Sequence, residues 1–256
     1  MNLHFNKYGE GKPLLIFHGL FGSGDNWTTH AKNWAEQGFC VYTIDQRNHG
    51  RSFHSNEMNY QLMRDDAIDL IASENLRDVI LLGHSMGGKT VMHVAQELEF
   101  LIEKLIVVDM GLKQYPRHHD VVFKALRSIP LDHIHSRSEA EEILGNSEVD
   151  NATQLFLLKN LYWQEPGKLA WRFNLDALEN HIDEILSAVP LHTAVNVPAM
   201  FIKGELSNYI LKEDASELER YFPKIQITEV KNSGHWPHAE SPAFFFQEVL
   251  NFSLHG

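Results

Sequence analysis

The chain has 256 residues, of which 43% are hydrophobic and 22% are charged, and this composition suits one globular α/β domain with room for an insertion. Its formal net charge of −12, with histidine counted as neutral, argues against nucleic acid and anionic membrane surfaces as partners. The first residues lack the apolar core of a signal peptide and no apolar run is long enough to cross a bilayer, so we expect a cytoplasmic protein without a membrane span.

The first half of the chain alternates short apolar runs with helical patterns. Residues 3–8 alternate like a half-exposed strand, and uniformly apolar runs typical of strands buried on both faces follow at 14–17, 39–44, 79–82 and 105–108. Cys40, the only cysteine, lies in one of these runs, which predicts a buried thiol and excludes an intramolecular disulfide. Strands that alternate with helices predict a mainly parallel, doubly wound sheet.

Residues 113–190 interrupt this alternation. They show helical patterns and no convincing strand, with the helices expected near residues 119–128, 138–145, 152–163 and 175–187. The α/β pattern resumes at residues 199–203 and 225–230. We therefore interpret residues 113–190 as a helical cap inserted into a core formed by residues 1–112 and 191–256.

The stretch from Asp78 to Thr90 carries the strongest chemical signal. Gly83-His-Ser-Met-Gly87 lies between a predicted buried strand and a predicted helix, which is the position of a nucleophile elbow. In that turn the serine hydroxyl stands above the sheet, and a side chain at Gly83 or Gly87 would crowd the crossing of strand and helix. Ser85 is therefore the candidate nucleophile, and the backbone N–H of Met86 is a candidate oxyanion donor.

Residues 83–90 also fit the phosphate-binding pattern GxxxxGK[ST], and Asp109 could then help to hold magnesium. That interpretation leaves His18-Gly19, residues 45–52 and Gly234-His235 without a role. It also places the phosphate loop after several βα units, so we favour the nucleophile elbow.

Catalysis by serine requires a base, an acid that orients the base, and oxyanion donors. His235 is the candidate base, because it follows the last predicted strand and so lies at the same carboxyl edge of the sheet as the elbow. Asp109 is the preferred acid, with Glu205 and Asp214 as alternatives, although Asp214 also begins a capping-box sequence. The acid of such a triad more usually follows the later strand at residues 199–203, where this chain has Ser207. Its hydroxyl can add a hydrogen bond to the histidine or to Asp109.

The loop after residues 14–17 is expected to supply the second oxyanion donor, with the N–H of Leu20 preferred to that of Phe21. In residues 45–52 we expect a structural role, with Arg47 paired to Asp45 and a tight turn at Gly50. Two histidine pairs in the cap, His118-His119 and His133-x-His135, lack a third ligand at helical spacing, so no metal is predicted.

Four motifs together resemble the α/β-hydrolase superfamily and, within it, the bacterial YbfF-type esterases: Asp45–Ser52, Gly83–Gly88, Val108–Met110 and Gly234–Trp236. The resemblance extends over essentially the whole chain. It implies an α/β-hydrolase fold and hydrolysis of short-to-medium acyl esters and acyl-CoA thioesters. It also implies a catalytic tetrad of Ser85, Asp109, Ser207 and His235. This chemistry requires no metal or organic cofactor.

Substrate and partners are less constrained by the sequence. We place Phe21, Trp163, Arg172 and Trp236 at the substrate, and the basic residues Arg47, Lys113, Arg117 and Arg172 could meet a CoA phosphate, although they form no concentrated patch.

A C–C bond hydrolase or lyase with the same triad, and a non-catalytic small-molecule-binding homologue, remain as alternatives. Haloalkane dehalogenases and epoxide hydrolases of this fold carry aspartate where Ser85 stands, which disfavours both. The sequence does not specify an oligomeric state.

Overall fold

The computed structural model describes residues 2–255, which form nine strands and eleven α-helices. The strands are β1 (Phe5–Tyr8), β2 (Lys12–Phe17), β3 (Phe39–Ile44), β4 (Val79–His84), β5 (Ile102–Val108), β6 (Leu161–Glu165), β7 (Lys168–Trp171), β8 (Ala199–Gly204) and β9 (Ile225–Val230). The helices are α1 (Thr28–Ala35), α2 (Tyr60–Ser73), α3 (Met86–Glu97), α4 (Asp120–Arg127), α5 (Arg137–Gly145), α6 (Asn151–Leu158), α7 (Leu175–Asn180), α8 (Ile182–Leu186), α9 (Ala215–Tyr221), α10 (Pro237–Glu240) and α11 (Pro242–His255).

Seven of the strands form one sheet in the order β1-β3-β2-β4-β5-β8-β9. Only β1 runs antiparallel to its neighbour in this sheet, and all other pairs are parallel. Alternate residues of β2 enter two separate hydrophobic clusters, one containing Leu15 and the other containing Ile16. Helices α2 and α3 pack in the first cluster and α1 and α11 in the second. Both faces of the sheet are therefore covered, and the predicted mainly parallel, doubly wound fold is confirmed.

The segment 113–190 contains α4 to α8, close to four predicted helical regions, but it also contains a two-stranded sheet that the sequence analysis missed. Strands β6 and β7 pair antiparallel, and Gly167 between them has φ +82°. The predicted helix over 152–163 is wrong beyond Leu158, where α6 ends. The Pro166-Gly167 turn, flanked by two short runs rich in aromatic and aliphatic residues, is the signal of a hairpin.

The two ends of this segment lie side by side. The N–H of Val189 donates to the carbonyl of Leu112 at 2.8 Å, and the N–H of Tyr115 donates to the carbonyl of Leu186 at 2.9 Å. The buried ammonium of Lys89, on α3, donates to the carbonyls of Leu186 and Ser187 at one end of the segment and to that of Lys113 at the other. Burial lowers the pKa of Lys89 to about 7.

Two predicted local interactions are wrong. Arg47 pairs with Asp66 on α2 at 2.6 Å, whereas the carboxylate of Asp45 accepts backbone N–H groups. The turn at Gly50 is as expected, because its φ is +58° and a Cβ there would overlap the Asp45 carboxylate. Asp214 does not cap α9 through its side chain. Its carboxylate instead binds Lys113 at 2.6 Å and accepts the N–H of the preceding turn.

No helix within residues 2–255 combines the length and the apolar character that crossing a bilayer would require.

Candidate active site

Ser85 occupies a sharp turn between β4 and α3. Its backbone has φ +53° and ψ −118°, a strained conformation for a residue with a side chain. A Cβ at Gly83 on β4 would overlap the carbonyl of Gly87 on α3, and a Cβ at Gly87 would overlap the carbonyl of Phe17 on the neighbouring strand β2. The geometry is that of a nucleophile elbow, and it explains why both positions are glycine.

His235 joins Ser85 to Asp109 through two hydrogen bonds. Its Nε2 lies 2.9 Å from the Ser85 Oγ, and its Nδ1 lies 2.7 Å from Oδ2 of Asp109. Since an ionised carboxylate only accepts, Nδ1 carries the proton and Nε2 is the acceptor for the serine hydroxyl. This is the arrangement in which a histidine can remove the proton of a serine as that serine attacks.

Asp109 is fully buried at the end of β5, and the loops after β8 and β9 supply its hydrogen-bond partners. Oδ1 accepts the N–H of Gly204 at 3.1 Å, and Oδ2 accepts the hydroxyl of Ser207 as well as Nδ1–H of His235. Asp109 has no lysine or arginine partner among residues 2–255, so these donors satisfy its buried oxygens. The structure therefore brings Ser85, Asp109, Ser207 and His235 into one hydrogen-bonded chain.

The two alternative acids lie in other interactions. Glu205 is exposed, where it pairs with Lys231 at 3.0 Å and accepts the N–H of Asn232 at 2.9 Å. Those contacts lower the pKa of Glu205. Asp214 is held by Lys113, as described above. Neither carboxylate contacts His235 among residues 2–255.

Three residues that the sequence analysis did not assign to the site hold His235 in place. The ring of Tyr209 stacks on the imidazole with centroids 3.9 Å apart, and Nε2 of His84 donates to the carbonyl of His235 at 2.8 Å. The carboxylate of Glu240 accepts the N–H groups on both sides of His235, from Gly234 at 2.6 Å and from Trp236 at 3.1 Å. Burial lowers the pKa of His84 well below its ordinary value, so this ring is neutral and its tautomer is fixed by the carbonyl.

The oxyanion donors can be compared by their existing partners. The N–H of Phe21 donates to Nε2 of His49 at 3.2 Å and is thereby occupied. The N–H of Leu20 has no acceptor within residues 2–255, and the N–H of Met86 is unpaired because it begins α3. Leu20 and Met86 are thus better placed as donors than Phe21.

A cavity of about 530 Å³ opens above Ser85 and His235. Its other lining residues come mainly from the loop after β2, from the segment 113–190 and from the loops after β8 and β9. They include Leu20, Phe21, Trp27, Val121, Val122, Val149, Phe156, Leu157, Tyr209 and Trp236. Most of this lining is apolar, which suits an acyl chain.

Of the four residues expected at the substrate, Phe21 and Trp236 line the cavity, whereas Trp163 and Arg172 do not. Trp163 lies on β6 with 45% of its surface exposed, and the guanidinium of Arg172 lies 4.4 Å from the ring centroid of Tyr162. The expectation for these two residues is not met at this cavity, because Trp163 lies on β6 and Arg172 directly follows β7, and neither position faces the cavity lining.

The cavity has an acidic rather than a basic character. Two carboxylates, those of Glu148 and Asp150, line the cavity among residues 2–255. No lysine or arginine of these residues lines it. Three of the four basic residues considered for a CoA phosphate form ion pairs elsewhere, namely Arg47 with Asp66, Lys113 with Asp214, and Arg117 with Asp120, and the fourth, Arg172, packs on Tyr162. A polyanionic group would therefore find no counter-charge at the reaction centre.

We expect Ser207→Ala to lower kcat by about tenfold, the lower end of the range of about 1.5–3 kcal/mol for a hydrogen bond to a charged group, because two other donors to Asp109 remain. Ester turnover by the single variant, by Asp109→Asn and by the double variant measures this contribution. If Ser207 acts through Asp109, the double variant will be no slower than Asp109→Asn. An undiminished tenfold loss in the Asp109→Asn background would show a role independent of that carboxylate.

Comparisons with known proteins agree with this geometry. A sequence profile described as the alpha/beta hydrolase family matches residues 14–248. The chain is 34% identical over 255 residues to the sn-1-specific diacylglycerol lipase ABHD11 of Danio rerio, covering 97% of this chain and 80% of that protein. It is 32% identical over 244 residues to Esterase YbfF of Escherichia coli (strain K12), covering 95% of this chain and 93% of that protein.

Among solved structures, that of a marine microorganism esterase shares 41% sequence identity and a TM-score of 0.95, covering 98% of this chain and 99% of the other. The resemblance to YbfF-type esterases found in the motifs therefore extends over the whole fold and is confirmed. The chain belongs to the alpha/beta hydrolase family.

Proposed function

We propose that this protein is a serine hydrolase that cleaves uncharged carboxylic esters with short-to-medium acyl chains through an acyl-enzyme on Ser85. The observation that carries the proposal is the continuous hydrogen-bonded chain from Ser85 through His235 to the buried Asp109, at the floor of an apolar cavity. The names of the relatives support it, since they describe an esterase and a lipase acting on diacylglycerol.

The reaction follows from the positions of the atoms. Oγ of Ser85 attacks the acyl carbonyl carbon while Nε2 of His235 takes the hydroxyl proton, and Asp109 stabilises the resulting imidazolium. The N–H groups of Leu20 and Met86 bind the oxyanion. His235 then gives its proton to the departing alcohol, and the acyl group stays on Ser85. Water repeats the sequence, with His235 as base, and releases the carboxylic acid.

The charge of the cavity bears on the choice between esters and acyl-CoA thioesters. The same steps would cleave a thioester, and the resemblance to YbfF-type esterases implied that class too. However, Glu148 and Asp150 would repel the phosphates of CoA, and no lysine or arginine of residues 2–255 lines the cavity to offset them. We therefore favour uncharged substrates.

Three butyryl substrates test this proposal: p-nitrophenyl butyrate, an uncharged butyryl thioester of N-acetylcysteamine, and butyryl-CoA. We expect the first two to be cleaved and butyryl-CoA to have a kcat/KM at least about tenfold below that of the uncharged thioester, because the cavity repels anions. Added salt should narrow this difference by screening the repulsion.

A p-nitrophenyl series from acetate to palmitate, run in parallel, measures the acyl length that the cavity accepts. Equal kcat/KM for the two thioesters would contradict the preference for uncharged substrates. Absence of turnover across the whole series would contradict ester hydrolysis and favour C–C bond cleavage or a binding role.

A further inference from the structure

A second cavity of about 880 Å³ lies beside the catalytic one, between α1, α6 and the pair α10–α11. Four residues line both cavities: Asn26, Phe156, Trp236 and His238. The rings of Phe156 and Trp236 lie with centroids 5.9 Å apart at this boundary. The second cavity, called here the α6–α11 groove, therefore adjoins the space above Ser85 across these side chains.

The α6–α11 groove combines apolar residues on two helices with polar and charged ones. Its apolar lining is formed by Ala152, Leu155 and Phe156 of α6 and by Pro242, Ala243 and Phe246 of α11. Leu155 is 51% exposed, although large aliphatic side chains are usually buried. The polar and charged lining residues include Asn33, Lys159, Glu240 and Gln247. The apolar residues of the two helices offer contacts for an alkyl chain.

The chemistry of the proposed reaction determines which part of an ester faces the groove. His235 must give its proton to the departing oxygen, so the alcohol part of the substrate lies next to Nε2. Trp236, His238, Ala239 and Glu240, which follow His235 directly, line the groove. By contrast, Val121, Val122 and Val149 of the segment 113–190 line the catalytic cavity alone. The alcohol side thus leads across Trp236 towards the groove, and the acyl side leads towards α4 and Val149, whereas α6 of the same segment borders the groove.

Building on the proposed function, we propose that the α6–α11 groove binds the alcohol portion of the ester and selects esters whose alcohol carries an extended apolar chain. The acyl and alcohol parts of the substrate, on the two sides of the scissile bond, then bind in two separate cavities. Acyl length and alcohol length are recognised by different residues and can be changed independently.

The test uses two series of esters, and both are followed by acid release in a pH-stat. In the alcohol series the acyl group is butyryl and the alcohol lengthens from ethyl to octyl. In the acyl series the alcohol is ethyl and the acyl group lengthens from acetyl to octanoyl. For the wild type we expect kcat/KM to rise by at least about tenfold along the alcohol series, because each buried methylene adds up to about fourfold.

Leu155→Asp places a charge in the groove at an exposed position, so the fold is expected to tolerate it. We expect this variant to lose the rise along the alcohol series and to keep the same optimal length in the acyl series. Phe100→Asp is the matched control, since Phe100 is 79% exposed and lines neither cavity. It should leave both series unchanged.

The outcomes separate the inference from the function on which it rests. If no ester in either series is cleaved, the proposed function fails. If esters are cleaved but kcat/KM does not depend on alcohol length, or if Leu155→Asp and Phe100→Asp behave alike, the groove does not bind the alcohol and the inference is overturned.

Discussion

Replacing Ser85 with alanine is expected to lower kcat for p-nitrophenyl butyrate by about 10⁶, the order found when the nucleophile of a serine triad is removed. The substitution deletes only Oγ, and with it the atom that becomes acylated. Alanine has the same Cβ as serine, so the strain at φ +53° is unchanged. Ser85 is also partly exposed, so no core cavity is created. The thermal midpoint should therefore stay within a few degrees of the wild type.

Ser207→Ala is the matched control for this variant, because it removes a second hydroxyl from the same hydrogen-bonded chain and is expected to cost only about tenfold. Steady-state turnover and a thermal melt of each variant are sufficient for the comparison. If Ser85→Ala retains turnover within tenfold of the wild type while Ser207→Ala loses it, Ser85 is not the nucleophile.

Asp109→Asn is expected to reduce kcat by about four orders of magnitude, as the equivalent change does in a serine triad. An asparagine amide in this position would donate to Nδ1 of His235. The imidazole would then carry its proton on Nε2, where it cannot accept the hydroxyl proton of Ser85. The asparagine oxygen still accepts from Gly204 or Ser207, so the chain should fold.

Two carboxylate-to-amide changes serve as controls for Asp109→Asn. Asp214→Asn weakens an ion pair with Lys113 and Glu205→Gln weakens one with Lys231, and neither touches His235. We expect both to keep kcat within about twofold of the wild type, since neither change alters the hydrogen bonds of His235. If kcat falls by orders of magnitude in Asp214→Asn and stays normal in Asp109→Asn, the acid lies after β8 and the tetrad that includes Asp109 is wrong.

The features that could be predicted from the sequence are those with local causes. The uniformly apolar runs of β2 to β5 follow from a sheet buried on both faces, and the elbow glycines follow from a crossing too close for a Cβ. The edge of the sheet at which His235 lies follows from strand direction alone. The choice of acid was harder, because chain order permits Asp109, Glu205 and Asp214 alike.

The features that were missed depend on contacts between distant parts of the chain. Asp45 is only two residues from Arg47 in the sequence, but Arg47 pairs with Asp66, which lies on α2. Tyr209 and Glu240 reach His235 only once the loops after β8 and β9 are folded against each other. The hairpin β6–β7 has a local signal at Pro166-Gly167, but its first residues also fit the helical pattern that predicts a helix to residue 163, and its second strand is only four residues long.

The junction at Lys89 has a consequence for how such a protein can diversify. Both ends of the segment 113–190 meet at one ammonium group on α3, and they are hydrogen-bonded to each other beside it. An insertion whose ends are adjacent leaves the host sheet undisturbed whatever its length or internal structure. We therefore propose that the segment can be exchanged as a unit in evolution or by recombination. A different segment in place of 113–190 would alter the acyl cavity. The hydrogen-bonded chain from Ser85 to Asp109 and most of the α11 side of the groove would stay unchanged.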